Sequence, residues 1–92
     1  MIGPQFESNM YKLLLKTSAE KDLKKLPKSV QVSIAHALDE LTLLGSRARN
    51  TKKLKDPIGG YRTRVGSHRI LFDINEEIIL VHRISKRAEA YR

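Results

Sequence analysis

The spacing of apolar residues predicts a strand followed by two helices in the first half of the chain. Residues 11–16 form a short apolar run with polar flanks, which is typical of a mostly buried strand. Thr17 and Glu20 have the spacing of a capping box, so the first helix should begin at Thr17. Its apolar stripe consists of Ala19, Leu23 and Leu26, and its outward face of Lys21, Asp22, Lys24 and Lys25.

A second helix is predicted directly after the first. Pro27 should end the first helix and serve as the first residue of the next one. Gly45 is the expected C-terminal cap, and the two segments together predict an αα-hairpin. His36 lies at the border of the apolar face, which indicates a surface histidine. The apolar face consists of Val30, Ile34, Ala37, Leu38, Leu41 and Leu44.

Residues 61–72 alternate with period two on both sides of Gly66-Ser67, which predicts a tight β-hairpin. Counting outward from that turn sets Val65 opposite His68 and Tyr61 opposite Phe72. One face of this hairpin can be buried, and the other is cationic. The buried face holds Tyr61, Thr63, Val65, Ile70 and Phe72, with His68 packed beside Val65; the cationic face holds Arg62, Arg64 and Arg69.

The cationic face of the hairpin has two interpretations. Arg64 lies directly opposite Arg69, and like charges at paired positions destabilise a sheet. In the first, an anion binds across this face and removes the repulsion. In the second, the face is an ordinary solvated one, and water and salt screen the charges of the arginines. The hairpin by itself does not choose between them.

A third strand of the same sheet is predicted over residues 78–84. Its first residues are apolar on both faces, which indicates a central strand covered on both sides. A three-residue turn before it sets Arg83 opposite Arg69 and adds it to the cationic face, whereas a two-residue turn removes it. Before the hairpin, residues 46–60 are expected to form a mobile basic loop anchored by Leu54 and Ile58. Its lysines Lys52, Lys53 and Lys55 are candidates for phosphate contact.

The charge distribution indicates a polyanionic partner. The chain has 92 residues and a formal charge of +8, and almost all of the excess lies after Leu44. A basic excess confined to one half is typical of a nucleic-acid-binding surface. The chain has no cysteine, which argues against zinc. No cofactor and no metal are expected.

One domain is predicted, over residues 10–92. Residues 1–9 lack periodicity and are expected to be a leader outside the native domain or a disordered tail. No apolar run is long enough to cross a bilayer, and no secretory signal is present, so a cytoplasmic location is expected.

Two motifs near the C-terminal end resemble the RelE/ParE toxin superfamily. The first is Gly60-Tyr61-Arg62-x-Arg64-Val65-Gly66-x-x-Arg69, and the second is Lys86-Arg87-x-Glu89-x-Tyr91. The resemblance extends from about Tyr11 to Arg92. It implies an α+β fold with an antiparallel four-stranded sheet packed against the αα-hairpin, like that of small microbial ribonucleases.

The resemblance also implies a function. RelE-type members are toxins of type II toxin–antitoxin systems that cleave mRNA in the ribosomal A site and are neutralised by a RelB-like antitoxin. The implied partners are therefore that antitoxin, the ribosome and mRNA. ParE-like members instead inhibit DNA gyrase, and a non-catalytic RNA-binding module is a third possibility. The implied catalytic residues are Arg62, Arg64, Arg69, Arg87 and Tyr91; the expected RNA-binding residues are Lys52, Lys53, Lys55, Arg83 and Lys86.

Metal-independent cleavage of RNA by attack of its own 2′-hydroxyl suits a site that lacks metal ligands. Arginines can stabilise the charge of the phosphorane, but they stay protonated and cannot act as the base. Lys86 or His82 could exchange protons if their side chains point toward the RNA.

Overall fold

The computed structural model describes residues 10–55 and 60–86 as two helices and five strands. The helices are α1 (Thr17–Lys24) and α2 (Lys28–Leu44), and a turn of 3₁₀ helix at Gly45–Arg47 follows α2. The strands are β1 (Lys12–Leu15), β2 (Thr51–Lys53), β3 (Tyr61–Val65), β4 (His68–Asn75) and β5 (Ile78–Lys86).

The strands form one mixed sheet in the order β1-β5-β4-β3-β2. This confirms the α+β class, but two details of the predicted sheet are wrong. First, β1 pairs with β5 in parallel, because the two helices return the chain to the start of the sheet before β2. Second, the sheet has a fifth strand, β2, which pairs with β3 inside the segment predicted to be a mobile loop. The basic segment is therefore partly an edge strand.

The apolar stripes of the helices pack against one face of the sheet, as predicted. Ile34 and Leu41 of α2 are fully buried in the same apolar core as Phe72 and Ile79, and this packing removes a large apolar area from water. Leu44 is an exception, because it is 37% exposed at the end of α2. The buried core consists of Ala19, Ile34, Leu38, Leu41, Ala48, Ile70, Phe72, Ile79, Val81 and Ile84.

The ends of the helices agree with the sequence in one place and differ in another. Gly45 ends α2 with φ +58°, and an added Cβ would lie 2.7 Å from the ring of Tyr11, so glycine is required there on two grounds. At the start of α1, however, the capping box is absent. Thr17 is already helical, and among the described residues no side chain caps this end.

The register of the hairpin is the predicted one at all five pairs, from Tyr61↔Phe72 to Val65↔His68. Gly66 has φ +60°, which a two-residue hairpin turn requires. His68 is 6% exposed on the helix-covered face, as expected. Tyr61 and Phe72 stack there with their ring centroids 5.6 Å apart.

The connection from β4 to β5 combines a short turn with a β-bulge. Glu76-Glu77 is a two-residue turn, which by parity alone would remove Arg83 from the cationic face. The register then shifts, because Phe72 pairs with Val81 whereas Leu71 pairs with Arg83. His82 is the extra residue of a bulge, and Arg83 returns to the face that carries Arg69.

The strand β5 is central in the sheet, as predicted, but it is not covered on both sides. Ile78 is 40% exposed, while Ile79 is fully buried. Among the described residues, the two helices cover the face that carries Ile79, and neither helix lies over the face that carries Ile78.

Helix α1 covers the part of the β5 edge that β1 does not reach. β1 pairs only with residues 78–81 of β5. Beyond them, the Ser18 hydroxyl donates to the His82 carbonyl at 2.8 Å, and the Asp22 carboxylate accepts from the Ile84 N–H at 2.9 Å. These side chains satisfy backbone groups that a neighbouring strand would otherwise pair with. The prediction that Asp22 faces outward is therefore wrong.

Asp22 should make the stability of the protein dependent on acid pH. Burial raises the pKa of this carboxyl, but hydrogen bonds from Arg83 and from the Ile84 N–H outweigh burial, and the pKa lies below its ordinary value. Stability from this group is complete above the unfolded pKa of about 4 and is lost as pH falls through the lower folded pKa. We expect Asp22→Asn to lower the free energy of unfolding by about 1–3 kcal/mol at neutral pH.

Urea unfolding at pH 7 and at pH 3 tests this expectation. The difference between wild type and Asp22→Asn should shrink at pH 3, because the carboxyl of the unfolded wild type is then largely protonated and part of the stabilisation is lost. Asp39→Asn, at an exposed position on α2, is the control and should change little at either pH. A deficit in Asp22→Asn of equal size at both pH values would contradict this role.

Candidate functional site

The face of the sheet opposite the helices is lined by cationic side chains from four strands. Arg62 on β3 pairs with Lys52 on β2 and with Leu71 on β4, and Arg64 pairs with Arg69. Because paired residues project from the same face of a sheet, these side chains are neighbours. Arg83 joins them through the bulge in β5. We call this surface the arginine face; it consists of Lys52, Arg62, Arg64, Arg69 and Arg83.

The three hairpin arginines of this face are more buried than ordinary surface arginines. Arg69 is 4% exposed and Arg62 is 9% exposed, and Arg64 beside them is half-buried. The Nε atom of Arg64 is buried and has no hydrogen-bond partner among the described residues. A buried donor of this kind is destabilising unless a ligand or water satisfies it. The face therefore combines concentrated positive charge with at least one unused donor.

Arg83 differs from the other arginines because an acidic residue holds it. Its Nε donates to Asp22 Oδ2 at 2.8 Å and its Nη2 to Asp22 Oδ1 at 3.2 Å. This bidentate pair fixes the guanidinium plane and offsets positive charge at one end of the face. The Arg83 side chain is 54% exposed. Of the predicted RNA-binding residues, Arg83 thus reaches the face but has an intramolecular partner.

The structure brings only one of the predicted RNA-binding lysines to the arginine face. Lys52 pairs with Arg62 and projects from that side. Lys53 pairs with Tyr61, and Lys86 pairs with His68, so both belong to the helix-covered side of their strands. Lys55 lies beyond the end of β2 and is exposed. Lys52 and Lys53 project from opposite sides because successive side chains of a strand alternate between its faces, and a loop has no such alternation.

Two of the predicted catalytic residues, Arg87 and Tyr91, lie outside the described residues, as does the anchor predicted at Ile58. The structure describes the other three catalytic candidates, which are Arg62, Arg64 and Arg69, and it brings them together.

A histidine–aspartate pair lies on the same side of the sheet as the arginine face. His82 Nε2 and Asp73 Oδ2 are 2.7 Å apart, and the Gly60 N–H donates to Asp73 Oδ1 at 2.6 Å. The hydrogen bond with His82 lowers the pKa of Asp73; burial opposes this, and the Gly60 N–H and the Lys16 charge add to it. Asp73 is an ionised carboxylate that orients an imidazole.

Asp73 is not among the site residues predicted from the sequence, although the sequence carries a signal for its position. Asp73 follows Arg69 by four residues on the same strand, so alternation alone sets it on the arginine face. The position of His82 had no such signal, since it depends on the bulge.

Two further properties of the described residues bear on the site. Across residues 10–55 and 60–86, no group of three or more His, Asp or Glu side chains is arranged to hold a metal ion. No helix in this part of the chain is long and apolar enough to cross a membrane.

Solved structures share this fold. The RelB-RelE antitoxin–toxin complex from Methanococcus jannaschii matches with 28% identity and a TM-score of 0.72, over 85% of this chain and 94% of that chain. The toxin–antitoxin complex RelBE2 from Mycobacterium tuberculosis matches with 26% identity and a TM-score of 0.71, over 85% and 99%. Free Escherichia coli RelE, in a mutant form, has 24% identity and a TM-score of 0.72, over 88% and 86%, and shows the likeness of fold alone.

At the level of sequence, no curated protein matches the chain significantly. A family model does match, over residues 13–91, and it describes the ParE toxin of the type II toxin–antitoxin system parDE. That match includes both helices, the whole sheet after the first residue of β1, and the arginine face. The chain therefore belongs to the RelE/ParE superfamily and is a toxin of a type II toxin–antitoxin system.

Proposed function

We propose that this toxin is a metal-independent endoribonuclease that cleaves mRNA in the ribosomal A site and thereby inhibits translation. The observation that carries the proposal is the cluster of Arg62, Arg64 and Arg69 on one face of the sheet. Arg64 and Arg69 lie at paired positions, and Arg62 lies on the same face of β3. A phosphodiester bound across this face would be attracted by all three guanidinium groups. The cluster thus has the charge and the donors for a phosphate group.

The chemistry expected at this cluster is stabilisation of a transition state. When the 2′-hydroxyl of a nucleotide attacks the adjacent phosphate, negative charge accumulates on the phosphorane oxygens. Guanidinium groups match such oxygens two at a time, and their burial strengthens the attraction because less water screens it. The ribosome would supply the extended strand, so that the toxin acts on a substrate already held in position.

The remaining proposed residues surround this cluster. We assign Arg87 and Tyr91 catalytic roles from the resemblance alone. Lys52, next to Arg62, is the best placed of the RNA-binding candidates, and Lys53, Lys55, Arg83 and Lys86 would contact more distant parts of the RNA or of the ribosome. Arginine cannot accept the 2′-hydroxyl proton, so the cluster needs a separate base.

A second candidate function is inhibition of DNA gyrase by protein–protein contact. The family model that matches this chain describes the ParE toxin, and this match favours the gyrase alternative. The same fold serves both activities, so the choice between them depends on the residues of the site. A buried arginine cluster suits a phosphate group better than a flat protein surface, because desolvated cations in an interface need matched anions.

The proposed neutralising partner is a RelB-like antitoxin in the cytoplasm. The Methanococcus jannaschii and Mycobacterium tuberculosis relatives were solved as complexes of this kind. A formal charge of +8 favours an acidic segment of that partner.

Incubation of the purified toxin with programmed ribosomes tests the proposed function. Mapping of the mRNA 5′ ends should reveal breaks within the A-site codon, and naked mRNA of the same sequence should stay intact. A gyrase supercoiling assay with the same preparation should show no inhibition. Intact mRNA on ribosomes together with inhibited gyrase would replace the proposal with the gyrase alternative.

A further inference from the structure

We propose that His82 is the proton acceptor for the 2′-hydroxyl of the RNA and that Asp73 is the residue that positions it. The inference rests on the proposed ribonuclease function and supplies the base that the arginine cluster lacks. Its basis is the position, protonation and surroundings of one imidazole on the arginine face.

The β-bulge determines the position of His82. Val81 projects toward the helices, so strict alternation would place His82 on the arginine face and Arg83 on the helix-covered side. Because His82 is the extra residue of the bulge, Arg83 also belongs to the arginine face. Its hydrogen bond to Asp73, two residues along β4 from Leu71, confirms the direction of the His82 ring. Leu71 pairs with Arg62 on one side and with Arg83 on the other. The rise per residue of a strand places Asp73 roughly 7 Å along β4 from Leu71.

His82 and the arginines are close enough to act on one phosphodiester. His82 on β5 and Arg62 on β3 are separated by β4, and two strand spacings amount to about 10 Å between their backbones. An extended arginine spans most of that distance. A phosphate held by the arginines therefore leaves its neighbouring ribose near the imidazole.

The contacts of the pair determine which ring nitrogen is basic. An ionised carboxylate only accepts hydrogen bonds, so His82 Nε2 carries a proton and donates it to Asp73 Oδ2. In the neutral imidazole the lone pair is then on Nδ1, which has no hydrogen-bond partner among the described residues. Nδ1 is the atom that can take the proton.

The surroundings of the pair are mixed in charge. Lys16, at the end of β1, is near enough to lower the pKa of Asp73. On β5 the adjacent Arg83 is paired with Asp22 of α1. The His82 side chain is 12% exposed and that of Asp73 is 47% exposed, so the imidazole ring is largely but not fully shielded from water. Such a site can exchange a proton with a bound hydroxyl.

Nδ1 of His82 takes the 2′-hydroxyl proton while the 2′ oxygen forms a bond to phosphorus. The bond from phosphorus to the 5′ oxygen breaks, and that oxygen takes a proton from water. The products are a 2′,3′-cyclic phosphate and a free 5′-hydroxyl, and the imidazolium remains paired with Asp73 until it releases its proton to solvent.

A purely structural role for the pair is the alternative, because Asp73 also binds the Gly60 N–H next to β3. Asp73→Asn separates the two roles. The Gly60 N–H needs an acceptor at Oδ1, so the asparagine oxygen stays there and its NH₂ group faces His82. That NH₂ group donates to Nε2, which moves the imidazole proton to Nδ1 and removes the lone pair required for catalysis.

Nitrogen NMR of the free protein tests this tautomer independently of any cleavage. Wild-type His82 should have its proton on Nε2, and Asp73→Asn should have it on Nδ1, with both proteins unfolding at similar temperatures. A wild-type ring protonated on Nδ1 at neutral pH would overturn the inference.

Cleavage on programmed ribosomes tests the catalytic role. His82→Gln and Asp73→Asn should each reduce single-turnover cleavage about 100-fold, the usual size of a base contribution. His36→Gln, at an exposed position on α2, is the matched control and should cleave like wild type. Imidazole added to His82→Gly should restore part of the rate. If His82→Gln cleaves as fast as the wild-type protein, the role of His82 is overturned. The proposed function still stands in that case, because the wild-type protein cleaves mRNA.

A modified substrate distinguishes base from acid. An mRNA with sulfur in place of the scissile 5′ oxygen needs no proton on its leaving group. If His82 is the base, His82→Gln should stay about 100-fold slower than wild type on this substrate. Full rescue would make His82 the acid and overturn the assignment. If the wild-type protein cleaves neither the ordinary nor the sulfur-substituted mRNA, the proposed function is refuted and the role of His82 with it.

Discussion

Replacement of Arg69 with alanine should reduce mRNA cleavage on ribosomes roughly 100- to 1000-fold, the usual loss when one oxyanion-stabilising donor is removed. Arg69 is the most buried arginine of the face, at 4% exposure, and it lies opposite Arg64. Burial makes its charge effective at a phosphate, because little water competes for the guanidinium. We therefore expect a loss in the rate of cleavage larger than the loss in ribosome binding.

The fold should survive this change. Arg69 projects from the side of the sheet opposite the helices, so its removal should leave the apolar core that contains Phe72 and Ile34 in place. Because Arg69 is 4% exposed and its own contacts are lost, we expect the free energy of unfolding to fall by about 1–3 kcal/mol without loss of the fold. Circular dichroism and urea unfolding measure this.

Two matched variants complete the experiment. Arg69→Lys keeps the charge but loses the planar pair of donors, and it should recover only part of the activity. Arg47→Ala removes an exposed arginine of the 3₁₀ turn and should cleave normally. Full activity in Arg69→Ala, or equal losses in Arg69→Ala and Arg47→Ala, would contradict a specific role for the arginine cluster.

The largest effect on stability is expected from Phe72→Ala, which should lower the free energy of unfolding by about 3–5 kcal/mol. Phe72 is fully buried, stacks on Tyr61, and lies where the register of β4 against β5 shifts. Its removal leaves a cavity between α2 and the middle of the sheet. In a domain of this size such a loss is a large fraction of the total stability.

Urea unfolding followed by circular dichroism measures this loss. Leu43→Ala, a position 57% exposed on α2, is the control and should change the free energy of unfolding by about 0.5 kcal/mol or less. Phe72→Leu should be intermediate, because it leaves a smaller cavity. A Phe72→Ala protein as stable as Leu43→Ala would mean that the helices do not pack on the sheet at this point.

Local features of the sequence were sufficient for the hairpin and the helices. The register from Tyr61 to Phe72 follows from a two-residue glycine turn and strict alternation, both of which act over neighbouring residues. The apolar stripe of α2 and the end of this helix at Gly45 likewise depend on neighbouring residues only. From these alone the sequence determined that Arg62, Arg64 and Arg69 share one face, which is most of the candidate site.

Only the tertiary structure decided the rest, because the remaining features depend on contacts between distant segments. β2 is too short and too polar to be predicted as a strand, and it exists because the edge of β3 offers it a partner. Asp22 turns inward because the edge of β5, some sixty residues later in the chain, has backbone groups to satisfy. The bulge that returns Arg83 to the arginine face, and brings His82 to Asp73, arises where two strands of different register meet. A periodic pattern specifies which face a residue belongs to only as long as alternation is unbroken, and the point at which it breaks is set by packing between strands.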